Sequence, residues 1–326
     1  MTSTICNVRQ VAVIGTGTIG TSWVALFLAH GLTVTVSDIA ADAEVRLFGD
    51  LERMMPSLHD LGLSVDDWHG RLRFEKDVAA AVAQADLVQE NGPDRIWLKR
   101  KLWAQVERHA PKHALFLSSS SGIPPGRQAR DMRNPGRLMI GHPFNPPHLI
   151  PLVEVLGHKL TRPEDIQRAM QFYRKVGKHP ILLRKSVPGF VANRLQAALL
   201  REAMLMVKWD VATVDEIDDI VTHSIGLRWA IGGPFVSFHL GGGPSGFTGF
   251  LKHFAKGVQL LWLHSRLSSV RFSHNLSAKL LAQINASFGQ RPMAELEAER
   301  DQRQLALLKA FAKQSPYAGR FGDADG

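Results

Sequence analysis

Cysteine and tyrosine are scarce in this sequence of 326 residues, which contains one cysteine, Cys6, and two tyrosines. A single cysteine cannot form an internal disulfide, so a disulfide-stabilised secreted fold is excluded and we expect a reducing, cytoplasmic location. No segment offers the about 18 consecutive apolar residues of a membrane-spanning helix. The first residues, MTSTICNVRQ, lack a basic region followed by an apolar run. We therefore expect neither membrane insertion nor secretion.

The charge of the chain raises the question of nucleic-acid binding. Charged residues make up 21% and hydrophobic residues 45% of the sequence, and the formal net charge is +9. This composition is typical of a globular protein with room for two domains. The basic segments are 98–103 (LKRKLW) and 127–133 (RQARDMR), but Lys99 and its basic neighbours fall in a helix-like stretch, where such charges usually form a solvated face. A positive surface equally suits anionic cofactors and substrates, so we expect no nucleic-acid partner, and we assign no metal site.

Short β-branched runs alternate with helical stretches in the first half of the chain, which is the pattern of a parallel sheet covered by helices. Strand one is predicted at 9–15, the helix after it at 18–31, and strand two at 33–38. Further strands are predicted in the segments RLRF, ADLVQE, ALFLSSSS, RLMIGH, LVEVLG and HPILLR. Further helices are predicted at about 40–61, 76–84, 94–109 and 124–132. We therefore predict a Rossmann-type, doubly wound, mostly parallel α/β sheet in residues 1–186.

The pattern changes in the segment 185–210, KSVPGFVANRLQAALLREAMLMVKWD. After its Pro-Gly pair the apolar residues recur at helical spacing, so a long helix is predicted there. Most of the remaining chain is also predicted to be helical, apart from a Gly-rich loop at 241–249, and the terminal GDADG is expected to be disordered. Residues 187–326 are therefore predicted to form an all-helical second domain.

The segment GTGTIG (15–20) stands between predicted strand one and its helix, which is the context that a dinucleotide-binding motif requires. In that motif the first glycine makes a tight turn, the second lets the backbone approach a pyrophosphate, and the third permits close packing of the helix. The helix N-terminus attracts the negative charge. The alternative is a strand-turn-helix whose glycines serve packing alone. We assign cofactor-binding roles to Gly15, Gly17, Thr18, Ile19 and Gly20.

Asp38 ends strand two, at the place where a carboxylate would accept the hydroxyls of an adenosine ribose. Ile39 and Ala40 offer no cation for a 2′-phosphate, which favours NAD over NADP. The glycine motif by itself does not separate NAD from FAD, and an aspartate here also suits an ordinary turn. We predict NAD as the cofactor.

The segment RLMIGHPFNPPHLIPLVEVLG (137–157) places a histidine between a strand-like run and a group of prolines. Hydride transfer from a secondary alcohol needs a base for the hydroxyl proton, and an imidazole with a pKa of about 6.5 can accept and return that proton. A carboxylate on the other ring nitrogen would fix the tautomer. His142 is our candidate base and Glu154 its carboxylate, joined through a turn between two strands. Since an unpaired buried carboxylate is costly, Glu154 needs a partner even if it is not catalytic.

Several segments together resemble the L-3-hydroxyacyl-CoA dehydrogenase family. GHPFNPPHLIPLVEV looks like the family's His-x-x-Asn-Pro segment with its following glutamate, and SSSSG (118–122) is similar to its Ser/Thr-rich strand end. VPGFVANRL resembles the family's P-G-F-x-x-N-R helix start. The resemblance spans nearly the whole chain. It implies an NAD-dependent dehydrogenase that forms a homodimer through its helical domain.

The same resemblance implies roles for single residues. His142 matches the family's catalytic base and Glu154 its partner. Ser121 matches a substrate-binding serine, and Asn193 matches an asparagine that helps to hold the reacting oxygen. Glu90, in LVQENGPDR, falls at an acidic position near the nicotinamide side of the cofactor site. The plainer alternatives are that Ser121 caps the next helix and that Asn193 only begins one.

Two features favour a branch of the family that acts on small free hydroxy acids. Between Asp38 and Gly70, where the acyl-CoA enzymes place lysines against CoA, the chain has no lysine and only Arg46 and Arg53. The segments 225–243 and 291–311 look like the branch that contains carnitine dehydrogenase and the L-gulonate 3-dehydrogenase and lambda-crystallin group.

A free-acid substrate suggests further contacts in the second domain. Arg194 and Arg228 are candidates to hold a carboxylate. A quaternary ammonium would bind aromatic faces, for which Trp209, Trp229 and Trp262 are available, although each also suits a core or a subunit interface.

We therefore predict NAD-dependent oxidation of the 3-hydroxyl of a small L-3-hydroxy acid to the 3-oxo compound. The first alternative is the same reaction on a 3-hydroxyacyl-CoA thioester. The second is a non-catalytic, NAD-binding structural protein, which would not need His142, Glu154, Ser121 and Asn193 together. A Ser-His-Glu hydrolase is disfavoured because the sequence has no G-x-S-x-G turn.

Overall fold

One eight-stranded sheet lies at the centre of the first part of the chain, in a computed structural model that describes residues 8–313. Cys6 and the terminal GDADG lie outside the described residues. The strands are β1 (Gln10–Ile14), β2 (Thr33–Ser37), β3 (Leu72–Phe74), β4 (Leu87–Glu90), β5 (Leu115–Ser118), β6 (Leu138–Pro143), β7 (Leu152–Leu156) and β8 (His179–Leu182). Their order is β3-β2-β1-β4-β5-β6-β7-β8. All neighbours are parallel except β6 and β7, which are antiparallel.

Helices connect these strands and make up most of the rest of the described chain. In the sheet-containing part they are α1 (Thr18–Ala29), α2 (Ala43–Asp60), α3 (Val78–Val82), α4 (Ile96–His109), α5 (Pro125–Gln128) and α6 (Pro163–Lys175). The later helices are α7 (Ala192–Lys208), α8 (Val214–Thr222), α9 (Ile225–Gly241, interrupted at Gly233), α10 (Gly246–Leu267), α11 (His274–Ser287) and α12 (Met293–Lys313). No helix among residues 8–313 is both long and apolar enough to cross a membrane.

The described residues divide into two compact units. One consists of 8–190 together with 297–313, and the other is Val191–Leu296. Most of α12 therefore groups with the sheet, while α7 to α11 form the other unit. The division predicted at residue 186 stays a prediction.

The core of the sheet-containing unit lies on both faces of the sheet, because successive side chains of a strand point to opposite sides. In β1, Val11 and Val13 belong to a cluster that includes buried residues of α1, α2 and α6. Ala12 and Ile14 belong to a second cluster that includes buried residues of α3 and α4. The predicted mostly parallel, doubly wound sheet is confirmed. Its strand order reverses between β1 and β4, and a crevice for ligands forms beyond the carboxyl ends of strands at such a point.

The sequence analysis missed one helix and predicted one loop that is too long. The helix α6 was not predicted, although Pro163 at its first position and two acidic residues in its first turn are signals for a helix start. The predicted Gly-rich loop at 241–249 is shorter, because α10 already begins at Gly246. A Cβ on Gly242 would lie 1.7 Å from the carbonyl oxygen of Gly246, so these glycines permit close backbone approach.

Candidate active site

The glycine segment after β1 forms a cradle at the N-terminus of α1. Gly15 has φ of +88°, a left-handed conformation that favours glycine, and a Cβ on Gly20 would lie 1.8 Å from the carbonyl oxygen of Gly15. At Gly17, in contrast, an added Cβ would meet no atom within 4 Å. The first and third glycines are thus needed by the fold itself, whereas Gly17 leaves open space beside the helix N-terminus. This arrangement fits a dinucleotide pyrophosphate.

Thr18 and Ile19 are the first two residues of α1. Thr18 is exposed and Ile19 is partly buried against the core cluster that contains Val11. Ile19 therefore helps to seat the helix, and the contribution of either side chain to cofactor binding stays a prediction.

Asp38 is held next to this cradle by a set of hydrogen bonds. Its Oδ2 accepts from the backbone N of Thr16 at 2.7 Å and from the Thr16 hydroxyl at 2.8 Å, and its Oδ1 accepts from the backbone N of Ala40 at 2.9 Å. Partial burial raises the pKa of the Asp38 carboxyl, but these hydrogen bonds outweigh it and place the pKa below its ordinary value. The carboxylate is therefore ionised at neutral pH. Beside it, Ile39 is almost fully exposed and offers an apolar surface.

Glu90, at the end of β4, is fully buried and directed into the protein. Its carboxylate accepts from Lys99 Nζ at 2.7 and 2.9 Å, from the Ser118 hydroxyl at 2.7 Å and from the backbone N of Gly92 at 2.7 Å. These bonds fix the backbone that follows β4, on the side of the sheet where the glycine cradle lies. The Glu90 oxygens already accept hydrogen bonds from these donors. Its predicted place near the nicotinamide side of the cofactor site stays a prediction.

The sequence interpretation of Lys99 was wrong. We expected Lys99 on a solvated face of α4, but its side chain is only 1% exposed because it pairs with Glu90. The signal was its spacing: Lys99, Trp103 and Val106 are the buried residues of α4, and they recur at the three- and four-residue intervals of one helix face. An apolar helix face with one cation indicates a buried acid opposite.

The four serines after β5 have different surroundings. The Ser118 hydroxyl donates to Glu90, the Ser119 hydroxyl donates to the Asn91 side chain at 2.7 Å, and the Ser120 hydroxyl accepts from the backbone N of Ile123 at 3.1 Å. Ser121 follows them in a bend and is half-buried. The first three serines therefore organise the strand end, and the substrate-binding role of Ser121 stays a prediction.

His142 and Glu154 form a buried pair on two neighbouring strands of the sheet, β6 and β7. They face each other in the register of β6 and β7, and His142 Nδ1 lies 3.0 Å from Glu154 Oε2. The side chains are 7% and 3% exposed. The rings of Phe144 and Phe190 lie 5.0 and 5.5 Å from the imidazole, centre to centre. An ionised carboxylate only accepts hydrogen bonds, so the proton is assigned to Nδ1 and the basic lone pair to Nε2.

Asn193 is the second residue of α7 and belongs to the Val191–Leu296 unit. Its predicted role with the reacting oxygen stays a prediction. In the sheet-containing unit the structure brings together the pairs Asp38–Thr16, Glu90–Lys99 and His142–Glu154. Sequence reasoning identified the acid in all three and the partner in one.

Comparisons with known proteins agree with this geometry. Residues 10–187 match the model of the 3-hydroxyacyl-CoA dehydrogenase NAD-binding domain, and residues 189–267 match that of the C-terminal domain of the same enzymes. The chain belongs to the 3-hydroxyacyl-CoA dehydrogenase family. It is therefore an NAD-dependent dehydrogenase, and its cofactor is NAD.

Relatives in this family carry different names. An L-carnitine dehydrogenase of Streptomyces griseus is 42% identical over 94% of this chain and 91% of its own length. A 3-hydroxyacyl-CoA dehydrogenase of Gibberella moniliformis is 41% identical over 95% of this chain and 97% of its own length. Among solved structures, that of 5-formyl-3-hydroxy-2-methylpyridine 4-carboxylic acid 5-dehydrogenase, an NAD-dependent dismutase, superposes with a TM-score of 0.79 at 29% identity. It covers 94% of this chain and 99% of the other.

Proposed function

We propose that this dehydrogenase oxidises the 3-hydroxyl of a small, free L-3-hydroxy acid of the carnitine type to the 3-oxo acid. The observation that carries the proposal is the buried His142–Glu154 pair, with 3.0 Å between His142 Nδ1 and the carboxylate. A general base must keep one ring nitrogen free for the hydroxyl proton. Glu154 occupies Nδ1 and leaves Nε2 for that task.

In the proposed mechanism His142 Nε2 takes the proton of the 3-hydroxyl. Glu154 stabilises the imidazolium that forms and keeps the ring in one orientation, as the carboxylate of a catalytic triad does. NAD, held by the Gly15–Gly20 cradle and Asp38, would supply the acceptor for the hydride from C3 of the substrate. Ser121 and Asn193 donate hydrogen bonds to the oxygen as it becomes a carbonyl. In the reverse direction His142 returns the proton.

The free-acid substrate is supported by the lack of unpaired cations in α2 and of lysines in and around it. The chain has no lysine between Asp38 and Gly70, and the two arginines of α2 are paired on the surface, Arg46 with Asp42 and Arg53 with Asp50. A CoA diphosphate would need cations there. The L-carnitine dehydrogenase relative supports the same choice. The alternative, a CoA thioester, is favoured by the relative that is named a 3-hydroxyacyl-CoA dehydrogenase at nearly equal identity.

The test is the initial rate of NAD reduction with L-carnitine, L-gulonate, L-3-hydroxybutyrate and L-3-hydroxybutyryl-CoA side by side, with His142→Ala as the control for background. We expect turnover of a free acid and none of the thioester. Turnover of the thioester alone would replace this proposal with the alternative. If NAD binds but none of the substrates, nor the corresponding 3-oxo acids with NADH, is turned over, the proposal fails in favour of a non-catalytic NAD-binding protein.

We also propose a homodimer formed through the helical unit and a cytoplasmic location. Large apolar side chains are exposed on the helices of that unit, including Leu195, Leu200, Phe235, Leu240, Leu260, Leu261 and Trp262. Such surface normally becomes buried against a partner. Light scattering after gel filtration should give twice the 36.1 kDa of one chain, and Leu200→Glu with Leu261→Glu should reduce the mass to one chain. A wild-type monomer would overturn the dimer.

A further inference from the structure

The loop 144–151 connects the two strands of the His142–Glu154 pair. It follows His142 at the end of β6 and precedes Glu154 in β7, and it contains three of the prolines of the segment. Irregular backbone of this kind has carbonyl and N–H groups without partners in the sheet, and these must be satisfied from elsewhere when they are buried. Two side chains distant in sequence satisfy three of them, the carbonyls of Pro147 and Ile150 and the N–H of His148.

Lys178 is the first of these groups. It lies just before β8, is 7% exposed, and its Nζ donates to the carbonyl oxygens of Pro147 and Ile150, the latter at 2.8 Å. The Trp23 ring lies 5.3 Å from Nζ. No carboxylate pairs with Lys178 among residues 8–313. Burial therefore lowers the pKa of Lys178 to about 7, yet even the neutral amine keeps two N–H groups, one for each carbonyl.

Ser22 of α1 is the second. Its hydroxyl accepts from the backbone N of His148 at 2.8 Å and lies 2.7 Å from His148 Nδ1. The loop is thus joined at its middle to the helix that follows the glycine cradle. Burial, together with the nearby charges of Lys178 and Arg300, lowers the pKa of His148 to about 4, so the imidazole is neutral at pH 7.

We infer that Lys178 is a positioning residue, which holds the loop 144–151 so that His142 stays aligned with Glu154 and with the cofactor side of the sheet. The inference rests on the proposed function, because alignment matters only if His142 is the base. A lysine suits this task better than an apolar residue. It reaches two carbonyls on both sides of His148 at once, and a methionine of similar volume would leave both without a donor.

The variant Lys178→Met tests the inference when compared with Val106→Ala, a core change in α4 on the other face of the sheet. We expect Lys178→Met to lower kcat at least tenfold, with the KM for NAD changed less than twofold. It should also change the acidic limb of the pH profile of kcat/KM, because the imidazolium of His142 loses its aligned carboxylate. Val106→Ala should lower the melting temperature without either effect.

Two further measurements separate positioning from general stability. Ser22→Ala removes the other anchor with little change in volume and should lower kcat in the same manner, although less. Hydrogen exchange of the amides in 144–151 should accelerate in Lys178→Met and not in Val106→Ala. Lys178→Arg, which keeps N–H donors, should recover part of the lost kcat.

The outcomes distinguish this inference from the proposed function. If wild-type protein oxidises no 3-hydroxy acid, the proposed function fails, while hydrogen exchange still reports whether Lys178 holds the loop. If wild type is active and Lys178→Met keeps its kcat and its pH profile, Lys178 is not a positioning residue. The inference would also be overturned if Lys178→Met and Val106→Ala, at equal melting temperature, lost kcat equally.

Discussion

His142 and Glu154 are direct neighbours across the one antiparallel pair of the sheet, with Nδ1 and Oε2 3.0 Å apart. All other neighbouring strands are parallel. A short loop can join antiparallel strands, whereas parallel strands need a long crossover connection. The reversal at β7 therefore allows two residues from one continuous segment to meet, and the strand register places them opposite each other.

The first prediction concerns this pair. His142→Ala should lower kcat roughly 10²–10⁴-fold, the range for loss of a general base, with NAD affinity nearly unchanged. Glu154→Gln keeps the size of the side chain but removes the charge that stabilises the imidazolium, so we expect a loss of kcat in the same range, roughly 10²–10⁴-fold. Stopped-flow rates and fluorescence titration of NADH measure the two effects. Weaker NADH binding with normal turnover would remove His142 from catalysis.

The second prediction concerns Asp38 and cofactor choice. Asp38→Ala removes the carboxylate next to the cradle and should weaken NAD binding. It should also narrow the preference for NAD over NADP, because a negative charge no longer repels a 2′-phosphate. The ratio of kcat/KM for the two cofactors measures the change. Unaltered affinity for NAD would show that the assignment of Asp38 to the ribose is wrong.

The third prediction separates the glycines that the fold needs from the one that the cofactor needs. Gly20→Ala places a Cβ against the carbonyl of Gly15 and should reduce both thermal stability and NAD binding. Gly17→Ala meets no protein atom and has an ordinary φ of −67°, so the protein without cofactor should keep its melting temperature. Calorimetric titration should nevertheless show weaker NAD binding by Gly17→Ala. Normal binding would mean that the pyrophosphate lies elsewhere.

The fourth prediction concerns the buried ion pair between Lys99 and Glu90 at the end of β4. Lys99→Met leaves the Glu90 carboxylate buried without its cation and should lower the free energy of unfolding by about 3–5 kcal/mol. The double variant Lys99→Met with Glu90→Gln removes both charges and should recover part of that loss. Urea unfolding followed by circular dichroism measures both. If the double variant were no more stable than the single one, the loss would come from packing and not from charge.

The fifth prediction is a dependence of stability on pH through His148. Its pKa is about 4 in the folded protein and about 6.5 when unfolded, so between these values the unfolded chain binds a proton that the folded one does not. The free energy of unfolding should therefore fall as the pH drops from 6.5 towards 4. The share from His148 is about 2 kcal/mol between pH 7 and 5. Urea unfolding at pH 7 and pH 5 gives the fall in the free energy of unfolding for wild type and for His148→Gln. The difference between the two falls is the share of His148.

The sequence predicted features that depend on local pattern. Alternation of strands and helices, the glycine segment and the pair His142–Glu154 all lie within short stretches of chain, and the structure places them as expected. The partners that were missed are either distant in sequence or were expected on a solvent-exposed face. Ser22 and His148 are separated by 126 residues, and nothing in either segment indicates the other. Lys99 was missed because its basic neighbours suggested an exposed face.

Other features depended on geometry that a pattern does not contain. Gly141 lies in β6, where a Cβ would come within 1.8 Å of the Tyr173 hydroxyl, and that hydroxyl donates to Gln89 at 2.8 Å. The glycine gives no sign in the sequence of the tyrosine above it. The Gly-rich stretch near residue 245 was likewise interpreted as a loop, because close backbone contact and a flexible turn call for the same residue.

Most of α12 belongs to the sheet-containing unit, and this has a consequence for cleavage of the chain. The helical unit is one continuous length, Val191–Leu296, whereas the other unit is assembled from residues 8–190 and 297–313. A protease that cut at both boundaries would release the helical unit as a single piece and leave the NAD-binding unit as two pieces held only by non-covalent contacts. A fragment that ended at Phe190 would lack one of its own helices. During synthesis, the residues 297–313 of the NAD-binding unit are made only after the whole helical unit has been made.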